Sequence, residues 1–287
     1  MSDNESDLET YILLLLSDSN LPTGSFVASS GLESYVKHGF ASSSPTDVAT
    51  VDFLRDSLAS YARGALPFVS EAHKMVMKYG LAEDGKVQEA GKDEGLDSVL
   101  EALSELDALY QAMTLNHVAR RASMSQGVAL LTLYSKGFSR PPFLSMHSGA
   151  ESCERESRMR ILLDRFKLRV RKEEVHGHLP VCWGILTAAL GLSLQRTQYL
   201  HLFLHARSLL SASVRLNDLG PYGAQQILLH AVRPLVAAEA ERSRDLQTGM
   251  FEKQDFDEIT QGPANTWPLG EILAGRHDLQ HSRIFNS

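Results

Sequence analysis

Apolar positions along the chain recur at helical spacing, and no alternating run is long enough for a strand, so the pattern predicts an all-α fold. The widest stripe is Leu96, Val99, Leu100, Leu103, Leu106, Leu109, Tyr110 and Met113. Asn116 marks a break, and a second helix is expected from His117 to Tyr134, ending near Gly137. Leu54, Leu58, Tyr61 and Ala65 share one helical face; Pro67 should break that helix or start the next, which carries Phe68, Val69, Met75, Val76 and Tyr79. The first helix is placed at residues 8–17, and its nearly continuous apolar run implies burial on several sides. Beyond Gly177, Pro180 suits a first helical turn. Gly184 and Gly191, seven apart, would share a helix face and allow a close helix–helix approach. Two more helices are expected at 195–216 and 222–243, separated by Leu219-Gly220-Pro221. The expected architecture is one compact bundle of about ten helices, a single domain over 1–287.

Polar punctuation sets the joints. Leu21-Pro22-Thr23-Gly24-Ser25-Phe26 reads as a tight corner: Pro22 fixes φ, Gly24 permits positive φ, and Ser25 is placed to N-cap a helix over Val27–Val36. Gly39, after Lys37 and His38, is a helix stop. Residues 1–6 are expected to be disordered, 80–95 to be a flexible solvated loop, and 138–151 to be another loop.

A net charge of −7 argues against nucleic-acid binding. Two cysteines, Cys153 and Cys182, form no disulfide framework and fit a reducing compartment. The leucine run at 12–16 is too short to span a bilayer and follows an acidic N-terminus, unlike a secretory signal, so the chain reads as cytoplasmic. The sequence holds no phosphate-binding loop, no Gly-x-Gly-x-x-Gly and no Gly-x-Ser-x-Gly. His201 and His205 lie one turn apart, but on an apolar helix with no carboxylate to complete a metal set, and read as core or interface residues. His277/His281 and His176/His178 offer too few ligands for a tight site. Eight basic residues between Arg155 and Lys172 form either a solvated face or a partner-facing strip.

The run Asp18 to Phe26, followed by Ser29, Gly31, Leu32 and Glu33, resembles the opening signature of the urease accessory protein F family. Further blocks match in order: Leu106-Asp107 with Ala112; Arg121-Ala122-Ser123-x-x-Gln126-Gly127; His178-Leu179-Pro180-Val181 with Gly184 and Leu190-Gly191-Leu192; Val214-Arg215-Leu216 with Gly220 and Gln225; and Arg283-Ile284-Phe285-Asn286-Ser287 at the end. A strict Ser-x-x-Arg spacing is not met at Ser213, and the loops at 80–95 and 138–151 are longer than in a bacterial member, which points to a eukaryotic one.

The resemblance implies an all-α, non-enzymatic, often dimeric protein without a tightly bound cofactor. Such a chaperone assembles with accessory proteins D or H and with the nickel GTPase G. It couples GTP hydrolysis to delivery of nickel, the cargo of the complex, into apo-urease. A water-filled passage through F and D is proposed for related complexes. Residue by residue, the resemblance implies partner contacts at Pro22, Thr23, Gly24, Ser25, Phe26 and Glu33, at Arg121, Ser123, Gln126 and Gly127, at Arg215, and at Arg283 and Phe285. Two other readings stand beside it: a helical metalloenzyme using His201/His205, and a generic helical adaptor binding an acidic partner through residues 155–172. The terminal Arg283–Ser287 segment reads as a docking element for D or H, or as a tail packed back on the bundle.

Overall fold

Helices account for 75% of the structure, a computed structural model, and no strand occurs among the described residues. These are residues 3–23, 25–43, 45–81, 94–141, 150–251 and 256–287. Gly24 and most of both expected loops, residues 82–93 and 142–149, lie outside them. In chain order the helices are α1 (Asp3–Leu16), α2 (Leu32–Lys37), α3 (Thr46–Leu81), α4 (Glu94–Met113), α5 (His117–Leu133), α6 (Ala150–Arg171), α7 (Leu179–Ala189), α8 (Leu194–Arg215), α9 (Pro221–Ile227), α10 (Arg233–Arg242), α11 (Glu258–Gln261) and α12 (Pro268–Gly275). Ten of the described helices have at least seven residues, as the periodicity predicts. The described residues form two compact units: one from 1–23, 68–113 and 124–194, the other from 24–67, 114–123 and 195–287.

Several boundaries differ from expectation for definable reasons. Helix α1 begins at Asp3, so residues 3–6 are helical, and it exposes Leu8, Tyr11 and Leu14 while burying Leu16. Helix α3 continues through Pro67. Leu58, Ala62, Ala65 and Leu66 before the proline and Phe68, Val69, Ala72 and Val76 after it are all almost fully buried. At roughly 1.5–3 kcal/mol per large apolar side chain, that burial exceeds the roughly 3 kcal/mol cost of an interior proline. At Pro234 the chain adjusts instead: a π-turn over Leu228–Val232 precedes α10 and makes room ahead of a residue with no N–H.

In the first unit, Phe68 packs edge-on against Tyr110, centroids 5.0 Å apart. The apolar faces of α4, α6 and α7 supply Leu103, Leu106, Leu162, Phe166, Val181 and Ile185 to its core. Gly184 allows the close approach expected of it: a Cβ there would lie 2.5 Å from the Val69 carbonyl oxygen. Gly191 does not share that role, because α7 ends at Ala189 and Gly191 follows it at φ +84°. Glu9 of α1 is buried and accepts hydrogen bonds from the Ser193 backbone N–H and hydroxyl, at 2.8 and 2.7 Å.

The second unit has an aromatic cluster at one end, with Tyr35 4.9 Å from Phe53 and Phe53 5.1 Å from Trp267. Asn116 is an N-cap, its side-chain oxygen accepting from the N–H groups of Val118 and Ala119 at 3.0 and 3.3 Å.

A tail-binding cradle as the candidate functional site

Within the second unit the corner does not lead into one helix over Val27–Val36. A 3₁₀ turn at Ser25–Val27 comes first, and α2 starts only at Leu32. Between them Ser30 and Gly31 take φ +49° and +87°. Ser25 therefore does not cap a helix; its carbonyl accepts the Ser208 hydroxyl at 3.4 Å. The physical reason is that the backbone groups a helix would use internally go to the C-terminal segment instead. Ser29 N–H donates to the Ser287 carbonyl at 2.5 Å, and Asn286 N–H donates to the Val27 carbonyl at 2.8 Å.

Glu33 completes this attachment. Its carboxylate is buried and accepts from the N–H groups of Ile284 (2.8 Å) and Phe285 (3.3 Å) and from the Lys37 ammonium at 2.8 Å. Burial alone would raise its pKa, but the Lys37 ammonium and the two N–H groups outweigh it and hold the carboxyl below its ordinary value. His277, also buried, places Nε2 3.1 Å from the Phe285 carbonyl.

Two arginines clasp the same segment. The Arg215 guanidinium lies 3.9 Å from the Phe26 ring centroid and 4.3 Å from that of Phe285, so it is held between two aromatic faces. It also donates to the Phe26 carbonyl. Arg121 pairs bidentately with Asp278, both contacts 2.9 Å, and donates to the Asn286 carbonyl at 2.8 Å. Asp278 also accepts from Arg283 at 2.6 Å and lies 3.3 Å from His117 Nε2. The Arg121 hydrogen bonds, first of all, hold the Asp278 carboxyl far below its usual range.

The segment thus packs back, as the second of its two readings had it, but not completely. Phe285 is 2% exposed, whereas Ile284 is 60%, Phe26 66% and Val27 42% exposed. The cradle presents an apolar surface strip, Phe26-Val27 beside Ile284, on a backbone hydrogen-bonded to Val27, Ser29, Glu33 and Arg121.

The expected site residues therefore divide. Phe26, Glu33, Arg121, Arg215, Arg283 and Phe285 meet at the cradle, with Ser25 at its edge. Ser123 is buried, Gln126 half-buried, Pro22 exposed and Thr23 half-buried. Gly24 lies outside the described residues. Gly127 belongs to a second cluster, inside the first unit. A Cβ on Gly127 would lie 2.1 Å from the Gly177 carbonyl oxygen, so the residue serves a close backbone approach within its own unit. Beside it Asp107, fully buried, accepts from the N–H groups of His176, Gly177 and His178 at 2.8, 3.1 and 2.7 Å. Burial raises the Asp107 pKa against those three bonds. Sequence reasoning missed Asp278 and His277 as cradle members. Their signal was only a His-Asp pair a few residues before Arg283, which is too common to stand out.

The other chemical candidates are absorbed by the core. The rings of His201 and His205 stack on Tyr61 with centroids 5.1 and 4.0 Å away. His201 Nε2 is 2.8 Å from the Tyr61 hydroxyl and His205 Nε2 is 3.0 Å from the Ser57 hydroxyl. Burial lowers their pKa values to about 3 and about 4, so both are neutral. His201 is buried and His205 half-buried, in keeping with the core or interface role their apolar helix predicted. Burial likewise pushes the Cys182 thiol up, away from reactivity. On α6 the basic strip is partly committed inward: Arg155 donates to the Ala188 carbonyl, Lys167 to the Ser135 hydroxyl, and Arg169 to Leu100, Ser104 and Glu101. Among the described residues no three metal-ligating side chains come together. No described helix is long and apolar enough to cross a membrane.

Comparison with known proteins places this geometry in context. The UreF family profile matches residues 46–232. Urease accessory protein 6 of Cryptococcus neoformans var. grubii is 42% identical, the alignment covering 99% of both chains. An uncharacterized UreF-like urease accessory protein of Schizosaccharomyces pombe is 32% identical, again over 99% of both chains. Urease accessory protein F of Arabidopsis thaliana is 29% identical over 95% of this chain and 90% of its own.

Proposed function

Because the chain belongs to the UreF family of urease accessory proteins, and is thus an accessory protein rather than an enzyme, we propose that it is a cytoplasmic nickel-insertion chaperone for urease. In this reading it works as a homodimer that joins the D or H accessory protein and the nickel GTPase G, and couples GTP hydrolysis to release of nickel into apo-urease. Nickel is cargo of the assembly, and the chain holds no tight cofactor of its own. The D/H partner docks on the strip formed by Phe26, Val27 and Ile284.

The observation that carries the docking assignment is the cradle. Glu33, Arg121 and Arg215 fix the terminal segment so that Phe285 faces inward and Ile284 outward. Preorganising the backbone lowers the entropic cost of association, and exposed aromatic and aliphatic side chains on a fixed frame are what an apolar partner surface requires. Against the adaptor alternative through residues 155–172, three of the eight basic residues of that stretch, Arg155, Lys167 and Arg169, bind within their own unit.

The test is made in a urease-positive cell lacking this gene. Urease subunits should accumulate without activity, with excess nickel restoring it at most partly, and the wild-type chain should restore it fully. Ile284→Asp should melt normally yet fail to capture D/H in a pull-down and fail to restore urease. Full activity in the deletion strain, or unchanged capture by Ile284→Asp, would overturn the role and the docking site respectively.

A further inference from the structure

A second surface feature lies in the same unit, beside the tail cradle and lined by other side chains than the apolar strip. The C-terminal end of α2 and the chain after α12 enclose an open cleft of about 370 Å³. Lys37, His38, Arg276 and His281 line it, and no carboxylate does. In a chain of net charge −7, two cations, Lys37 and Arg276, with two imidazoles around one depression stand against the overall balance. Lys37 pairs with the buried Glu33 carboxylate, which is shared with the Ile284 and Phe285 N–H groups, and also donates to the Ser282 carbonyl, which leaves one ammonium N–H for a ligand. Among the described residues Arg276 forms no ion pair, and its Nε–H donates to His38 Nε2 at 3.4 Å. Leu279, 73% exposed, supplies an apolar wall.

We propose that this cleft binds an acidic peptide segment of a partner protein, with carboxylates on Arg276 and the flanking His38, Lys37 and His281 and an apolar side chain against Leu279. A guanidinium's paired terminal N–H groups suit a carboxylate fork. The volume holds roughly a dozen waters at about 30 Å³ each, far more than one tetrahedral anion. A nucleotide would match the charge but would want an aromatic face for its base, and Phe, Tyr and Trp are absent from the lining. The lining side chains are other than Phe26, Val27 and Ile284, so Arg276, Leu279 and His281 can be changed without altering the D/H docking strip itself.

Fluorescence anisotropy on the full chain tests this with a labelled peptide of alternating Glu and Leu as the probe. Saturable binding that weakens as salt rises is expected. Arg276→Gln combined with His281→Gln should weaken it about tenfold with an unchanged melting temperature. Leu279→Asp, at an exposed position where folding is indifferent to the change, should weaken it by a similar factor. Arg165→Gln, on the exposed face of α6, should leave it unaltered. Absence of binding would overturn the proposal, as would an equal loss in Arg165→Gln, since the effect would then be general charge. Displacement of the peptide by ATP or inorganic phosphate at micromolar concentrations would replace it with a phosphate site.

Discussion

Glu33 and Gly127 each sit where one added or altered group decides a cluster. In Glu33→Gln the carboxylate bonds to Lys37, Ile284 and Phe285 lose their charge, and loss of about 2 kcal/mol is expected in urea denaturation. The folded pKa of Glu33 lies below its ordinary 4.5, so the folded state binds the proton less readily. Its contribution is therefore complete above about pH 4.5 and is lost as pH falls through the lower folded value. The gap between wild type and Glu33→Gln should narrow only in that acid range, and a gap constant to pH 3 would refute the assignment. Gly127→Ala forces a Cβ to 2.1 Å from a backbone oxygen that cannot swing away, and should cost about 3 kcal/mol in thermal melts. Gly64→Ala is the contrast: its nearest neighbour would be 3.9 Å away in mid-helix, so it should stabilise by up to about 1 kcal/mol.

At the scale of elements, the terminal segment is both a folded part and a presented surface, and adjacent side chains separate the two roles. Phe285→Ala removes a buried ring from beneath the Arg215 guanidinium and should cost about 3–5 kcal/mol. Ile284→Ala should change melting by less than about 0.5 kcal/mol, as expected for an exposed side chain. Deleting residues 277–287 removes His277, Asp278 and Phe285 together, and should lower the melting temperature as well as abolish capture of the D/H partner. Equal melting curves for full-length and truncated chains would show that the cradle contributes nothing to stability.

For the whole molecule, the neutral histidines set the response to acid. His201 and His205, with folded pKa values of about 3 and about 4, bind protons more weakly folded than unfolded, where the value is near 6.5. Their contribution to stability should fall as pH drops from about 6.5 towards 4 and be constant above neutrality. Imidazole NMR titration should find neither ring protonated at pH 5.5; a ring titrating near 6.5 would contradict the stack on Tyr61.

Much of this protein is determined by its sequence alone. Apolar spacing dictated the helices from Leu96 to Leu133 and from Leu194 to Arg215, because burying a stripe is the dominant local free-energy term. Asn116, Gly39 and Pro180 likewise marked their boundaries through cap and turn chemistry that acts within a few residues. The motif blocks identified the residues of interest but not how they group. Tertiary structure decided that Glu33, Arg121, Arg215 and Phe285, spread over more than two hundred positions, meet at one tail, while Gly127 and Asp107 meet elsewhere around the 176–178 turn. It also decided that Val27–Gly31 is not helical and that Pro67 breaks nothing. In both places a long-range term outweighed a local preference. At the corner, backbone hydrogen bonds to Asn286 and Ser287 replaced a helical turn. In α3, burial on both sides of the proline outweighed the hydrogen bond it removes. Neither term can be read from a window of neighbouring residues, since each depends on a partner segment that only the folded chain supplies.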